Sequence, residues 1–290
     1  MWLPWRYAAF GAVVLASGAR WVPGFRGRTT WAEFAREASI IAALYALWLR
    51  AGQFDPFGTA GGMTRGRQVW QIEKLLLLDH EAWVQSLVIG NRLVVQASNL
   101  YYAGVHVPAM GVFLLWLFIR HRAELVLWRT TLALTTAVCL VGRYVPVAPP
   151  RFYPEYGFVD TAVVYGQSVY GPVGTGASGQ FAAMPSVHVA WAVLIGVAVW
   201  RISPSRWRWI GPAHAVLTMI SVTDTANHWI LDGVVGAAVL VPAYAAARRW
   251  NSRNLTEPVP VSQDGHGDGE SDDTGPHHRL LGSDHVGDQA

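Results

Sequence analysis

The chain has 290 residues, 52% of them hydrophobic and 14% charged, with 15 tryptophans and a net charge of +3. So apolar and so weakly charged a composition excludes an ordinary soluble enzyme and points to a chain that crosses a membrane several times. The charge is uneven: residues 254–290 hold eight acids and one base, Arg279, which leaves 21 bases against 11 acids in the rest.

In chain order, residues 5–19 are apolar but short, with Arg6 near the start and Ser17-Gly18-Ala19 at the end. That suits either a signal-like leader or a marginal first span, and residues 1–30 form an N-terminal apolar segment. Phe34 to Leu49 reads as a span with Arg36 and Glu37 at the interface, followed by a Gly-rich loop over residues 53–63. Gln68 to Gly90 mixes Glu73, Lys74, Asp79 and Glu81 with a leucine run and two tryptophans. Too polar to span and too apolar to be free in water, it suits amphipathic helices on the membrane surface. Five plainer spans follow, Tyr102 to Ile119, Val126 to Gly142, Met184 to Ile202, Trp207 to Thr223 and His228 to Ala247. Each is close to the length a bilayer requires.

A loop rich in Pro, Gly and Tyr separates Gly142 from Met184, and a loop of that length inside a bundle usually carries function. Residues 31–250 are therefore expected to form an all-α, polytopic membrane helix bundle. Residues 251–290, rich in Gly, Asp, Ser and His, are expected to be a disordered acidic tail. Its His266, His277, His278 and His285 offer a minor metal-binding alternative. The lone cysteine, Cys139, rules out a disulfide within the chain.

Arg120, Arg122 and Arg129 join one pair of spans, Arg201, Arg206 and Arg208 another, and Arg248, Arg249 and Arg253 follow the last. Placing all nine inside gives a multi-pass membrane protein with a cytoplasmic tail. The Pro-rich loop and the starts of the Met184 and His228 spans then share the outer face. Arg65, Arg67, Lys74 and Arg92 run against this, in a long segment where the bias counts for less.

Three motifs fall on that face. In Thr223-Asp224-Thr225-Ala226-Asn227-His228-Trp229-Ile230-Leu231-Asp232, His228 and Asp232 are four apart, which on a helix brings their Cβ atoms to about 5–6 Å. A carboxylate beside an imidazole fixes its tautomer and supports it as nucleophile or base; the bland alternative is a pair that satisfies itself inside a bundle. In Phe181-Ala182-Ala183-Met184-Pro185-Ser186-Val187-His188, Pro185 and Ser186 are ordinary helix-start signals. With His188 they add a hydroxyl and a titratable acid to a helix N-terminus that attracts anions. Arg143-Tyr144-Val145-Pro146-Val147-Ala148-Pro149-Pro150-Arg151 supplies guanidinium groups suited to phosphate oxygens, snorkelling anchors being the alternative.

These residues resemble the membrane-bound type 2 phosphatidic acid phosphatases, the PAP2 superfamily, whose pattern is K-x6-R-P, then P-S-G-H, then S-R-x5-H-x3-D on a six-helix core. Pro185-Ser186-Val187-His188 is similar to the second element, with Val for Gly, and Ser221, His228 and Asp232 to the third, with Val222 in place of Arg. Phe152 follows Arg151 where Pro is expected, and Tyr144, beside Arg143, stands at the lysine position. The wording around Pro149-Pro150-Arg151, His188 and Asn227-His228, with Asn99-Leu100-Tyr101-Tyr102 and His106, resembles the branch of the inositolphosphoryl-ceramide synthases and its bacterial relatives. The resemblance covers roughly residues 65–247.

It implies a phosphohistidine mechanism. His228 attacks phosphorus, Asp232 supports it, and His188 is acid and then base, while Ser186, Arg151 and Arg143 hold the phosphoryl oxygens. His106, Asn227 and Tyr102 are accessory. The partner is a lipid in the bilayer, with no nucleic acid, metal or cofactor, and the lost cations favour transfer over hydrolysis. Two other classes stay open: a redox protein using His106, His188, His214 and His228 as haem or metal ligands, and a non-catalytic transporter or scaffold. His80-Glu81 lacks the second histidine of a metalloprotease.

Overall fold

A computed structural model describes residues 5–20, 26–51, 59–168 and 180–256; the acidic tail beyond, with its four histidines, lies outside the described residues. The helices are α1 (Trp5–Arg20), α2 (Arg26–Ala51), α3 (Gly62–Leu75), α4 (Glu81–Val88), α5 (Arg92–Gly104), α6 (His106–Arg120), α7 (Arg122–Gly142), α8 (Thr161–Val164), α9 (Val187–Ile202), α10 (Ile210–Asp224) and α11 (Ile230–Thr256). Among the described residues the only β pairing is an isolated bridge between Val147 and Ala182, so the protein is an all-α bundle. All six apolar runs read as spans are helical, and α1 packs on α2. Two helices, α7 and α11, are long and apolar enough to cross a membrane; α5 and α6 together make a third candidate, and α9 is apolar but shorter.

Three boundaries differ from those read in the sequence. The run from Tyr102 to Ile119 is broken at Val105, where α5 and α6 meet at 54°. Pro108, in the first turn of α6, has no N–H to give the carbonyl of Gly104, so no unbroken helix runs through that point. The third long span begins at Val187 because Ser186 is its N-cap, its Oγ accepting from the Val189 N–H at 3.4 Å. The last begins at Ile230: the N–H groups of Asn227 and His228 both donate to the Val222 carbonyl, closing α10, so His228 belongs to the turn.

The apolar centre packs α6, α7, α9 and α11 through Leu117, Trp128, Leu194 and Leu240. A second cluster lies under the Pro-rich loop, where fully buried Tyr153 packs at a tilt against Trp229, Phe158 meets Trp229 edge to face and Trp229 donates to the Ala148 carbonyl at 2.9 Å. Truncating an aromatic so enclosed costs about 3–5 kcal/mol. Small residues set the helix spacing where this cluster meets the bundle. A Cβ at Gly236 of α11 would strike the Ser186 carbonyl, and one at Gly142 the Pro185 ring, so both glycines let the start of α9 seat against its neighbours.

Helices stand where Gln68 to Gly90 reads as amphipathic, and the structure decides which side turns inward. On α3 and α4 the apolar side chains Ile72, Leu75, Trp83 and Leu87 face outward, while Glu73 and Glu81 are 0% and 1% exposed. These two carboxyls point inward because each meets a backbone donor there.

Candidate active site

The end of α7, the start of α9 and the α10–α11 turn converge on a cavity of about 310 Å³, walled in part by Arg143, Arg151, His188 and His228. His188 comes from the first turn of α9. His228 comes from the α10–α11 turn, where Ala226 takes the left-handed conformation (φ 52°), at a cost of about 1–2 kcal/mol for a residue with a Cβ. His188 Nδ1 and His228 Nε2 lie 3.3 Å apart.

The tautomer of His228 follows from its other nitrogen. Nδ1 sits 2.8 Å from the Ala183 carbonyl, an obligate acceptor, so Nδ1 carries the hydrogen and Nε2 presents a lone pair to the cavity. Asp232 Oδ2 is 3.5 Å from the same Nδ1. The expected His228–Asp232 proximity is therefore present without a shared helix face, but the closer partner is a backbone carbonyl. Asp232, fully buried, instead accepts from the Trp229 N–H at 2.9 Å. Its carboxyl lies behind His228.

Arg151 is held from several sides. Its backbone N–H donates to the Ala226 carbonyl at 3.0 Å, its Nη1 donates to Asn227 Oδ1 at 2.5 Å, and its Nε lies 3.6 Å from Asp160 Oδ2. Asn227 is itself oriented, donating through Nδ2 to Thr225 Oγ1 at 2.8 Å. One planar amide thus aims the guanidinium. Arg143, the residue that follows α7, also lines the cavity. Ser186 is fully buried and not at the wall: besides capping α9, its N–H donates to the Asp232 carbonyl at 3.0 Å, tying the two motifs together.

Tyr102 and His106 also wall the cavity, their rings 4.8 and 4.7 Å from that of His188. His214 is further off, hydrogen-bonded through Nδ1 to the Tyr101 hydroxyl at 2.6 Å. Among the described residues no three of His, Cys, Asp and Glu converge as a metal site. The cavity thus gathers His188, His228, Arg143, Arg151, His106, Asn227 and Tyr102, with Ser186 and Asp232 in support.

Sequence reading missed the groups that fix the turn from behind. Three successive N–H groups after His228 each meet a different carboxyl: Trp229 donates to Asp232 at 2.9 Å, Ile230 to Glu81 at 2.9 Å and Leu231 to Glu73 at 2.7 Å. These are otherwise unpaired donors at the start of α11, and a buried helix end needs such partners. Oε2 of Glu73 and Oε2 of Glu81 are buried with no donor. The two carboxyls face each other, so one proton held between them satisfies both oxygens. Burial, then the neighbouring carboxyl of Glu81, pushes Glu73 well above the usual carboxylate range; burial also raises Glu81. Beside them Gln85 bridges the Pro-rich loop to the end of α10, donating to the carbonyls of Val159 and Asp224, each at 3.0 Å. The visible signal was Glu73 and Glu81 eight residues apart on a stretch that mixes charges with a leucine run; nothing local said which way they pointed.

A nitrogen lone pair, a second imidazole within reach and two guanidinium groups can bind a phosphoryl group, attack it and move a proton. Fold and site together define an all-α membrane protein with a cavity lined by histidines and arginines at one end of its bundle. The family model of the PAP2 superfamily matches residues 67–246, more than half of the chain, and the chain belongs to that superfamily. The match takes in every site residue named above. No curated protein and no solved structure matches the chain.

Proposed function

We propose that the protein is a metal-independent lipid phosphotransferase or phosphatase working through a phosphohistidine at His228, with transfer the preferred outcome. The observation that carries this is the pairing of a His228 Nε2 lone pair, set by the Ala183 carbonyl, with His188 at 3.3 Å. Nε2 attacks phosphorus and a P–N bond forms as the P–O bond to the departing alkoxide breaks. His188 gives that alkoxide its proton. The acceptor hydroxyl, or water, then attacks phosphorus and hands its proton to His188, and the P–N bond electrons return to Nε2. A phosphorus in line with Nε2 needs room beyond it, so the two rings part when substrate binds. Asp232 stabilises the cation that develops on His228, and Arg151 and Arg143 neutralise the phosphoryl oxygens.

Membership of a superfamily of lipid phosphatases and phosphotransferases supports the class. The preference for transfer rests on Val222 and Tyr144, which stand where the family pattern has cations: with less positive charge, a phosphodiester is a better match than a dianionic monoester. The site faces the outside of a bacterial plasma membrane, a reading supported by the bundle's polarity, since His188 opens α9 and Arg201 closes it.

The test is incubation of purified protein with phosphatidylinositol or phosphatidate labelled at phosphorus, with and without lipid alcohols. Acid-labile label on His228, absent in His228→Ala, and label passing to the alcohol are expected. Label on neither histidine in an active protein would overturn the mechanism, and free phosphate from phosphatidate alone would overturn the transferase preference.

A further inference from the structure

A second cavity of about 580 Å³, almost wholly apolar, lies between α2 and a wall formed by α6 and α7. It shares Trp48, Val107, Leu140 and Trp191 with the catalytic cavity, so the two adjoin across these side chains. All four lie at the site end of the bundle: Trp48 near the end of α2, Leu140 near the end of α7, Val107 at the start of α6 and Trp191 in the second turn of α9. The indoles of Trp48 and Trp191, 5.8 Å apart, flank the junction.

The far end is closed. Phe34 meets Phe118 edge to face with ring centroids 5.4 Å apart, and Glu37 of α2 forms an ion pair with Arg129 of α7. Glu37 is 7% exposed and lines the cavity with Arg129. A desolvated ion pair is a poor neighbour for a hydrocarbon chain passing through, but it makes a firm floor. The walls are kept apart by small side chains, Ala38 and Ala42 on α2, Gly111 on α6 and Ala133 on α7. From Trp48 to Phe34, α2 rises about 21 Å at 1.5 Å per residue. One leaflet of a bilayer is about 15 Å deep, half of its roughly 30 Å hydrocarbon core. The slot is thus deep enough for one chain of membrane length.

We infer that this cleft holds one hydrocarbon chain of the lipid substrate while the phosphoryl group occupies the histidine cavity, and that the Glu37–Arg129 floor limits the chain length accepted. The inference rests on the lipid reading above. The helix that forms one whole wall, α2, precedes the residues that match the family model. An apolar chain fits because the slot offers almost no polar group to hydrogen-bond and the chain remains out of water along its length. Its shared wall with the site favours a substrate chain over a structural lipid, which has no reason to end beside two catalytic imidazoles.

The experiment compares kcat/KM for dihexanoyl and dioleoyl phosphatidylinositol, and for the same pair of phosphatidates, in wild type, Ala42→Trp, Ala133→Trp and the outward-facing control Val112→Trp. The long-chain to short-chain ratio is expected to fall at least tenfold in the two slot-filling variants, mostly through KM, and to stay at the wild-type value in the control. An unchanged ratio in correctly folded slot-filling variants overturns the inference while leaving the enzymatic reading intact; no turnover of either chain length by wild type overturns that reading instead. A second measurement needs no variant. Dioleoyl-length phosphatidate carrying a photoreactive diazirine at one chain end should label peptides of α2 and α7 around Phe34 and Arg129, and labelling confined to outward faces such as Val112 or Val141 would equally sink the proposal.

Discussion

At the scale of single residues, Arg151 and Asn227 act as one unit, because the amide of Asn227 spends one face on Thr225 and the other on the guanidinium. Arg151→Ala should lower kcat/KM by about 10²–10³, the usual loss when one preorganised donor to a developing charge is removed. Arg151→Lys should recover little of it, since a point charge cannot keep the planar contact with Asn227. Asn227→Ala should raise KM with a smaller loss in kcat, and steady-state kinetics on the three variants separates these outcomes. An Asn227→Ala enzyme with wild-type constants would show that Arg151 needs no guide. His228 and Asp232 were recognisable from type and spacing alone. The Ala183 carbonyl was not, because a backbone acceptor has no residue signature and is brought to Nδ1 only by the folded loop.

At the scale of elements, α3 and α4 hold the start of α11, and the shared proton between Glu73 and Glu81 makes that contact pH-sensitive. Both carboxyls are raised above 4.5 in the folded protein. The unfolded chain therefore loses its protons first as pH rises, and the folded state loses stability above that point, by up to about 1.4 kcal/mol per pH unit for each proton retained. Glu73→Gln keeps an acceptor for Leu231 and brings its own donor to Glu81. Thermal unfolding in detergent should show wild type losing stability against Glu73→Gln between pH 5 and 8, while Glu73→Ala is less stable throughout that range. Parallel pH slopes for wild type and Glu73→Gln would refute the shared proton. On the other side of the site, Gly236→Ala forces a methyl against the Ser186 carbonyl. It should shift the start of α9, cutting kcat more than KM and lowering stability by about 1–3 kcal/mol, the common cost of overpacking. The helices were legible as apolar runs, but not the inward turn of Glu73 and Glu81, since an amphipathic period states that two faces differ without saying which one meets protein and which meets lipid.

At the scale of the whole molecule, the arginine bias and the location of the site at one end of the bundle give a testable orientation. In a Cys139→Ser background, Val163→Cys, on the side of the Pro-rich loop, should react with a membrane-impermeant thiol reagent in intact cells. Ser252→Cys, beyond Arg248 and Arg249, should react only after permeabilisation; the reverse pattern would invert the topology. Composition and hydropathy by themselves determined that the protein is an α-helical membrane bundle, because each helix must satisfy its own backbone in lipid and shows it as an unbroken apolar run. Residue chemistry and spacing likewise marked His188, His228, Asp232 and Arg151 as a set. Only the tertiary structure decided that His188 and His228, forty positions apart, lie 3.3 Å from each other, that three carboxyls share the start of α11, and that an apolar slot adjoins the same cavity. Those are contacts between elements distant in sequence, set by how helix ends and small residues seat against one another, and no local pattern along the chain records them.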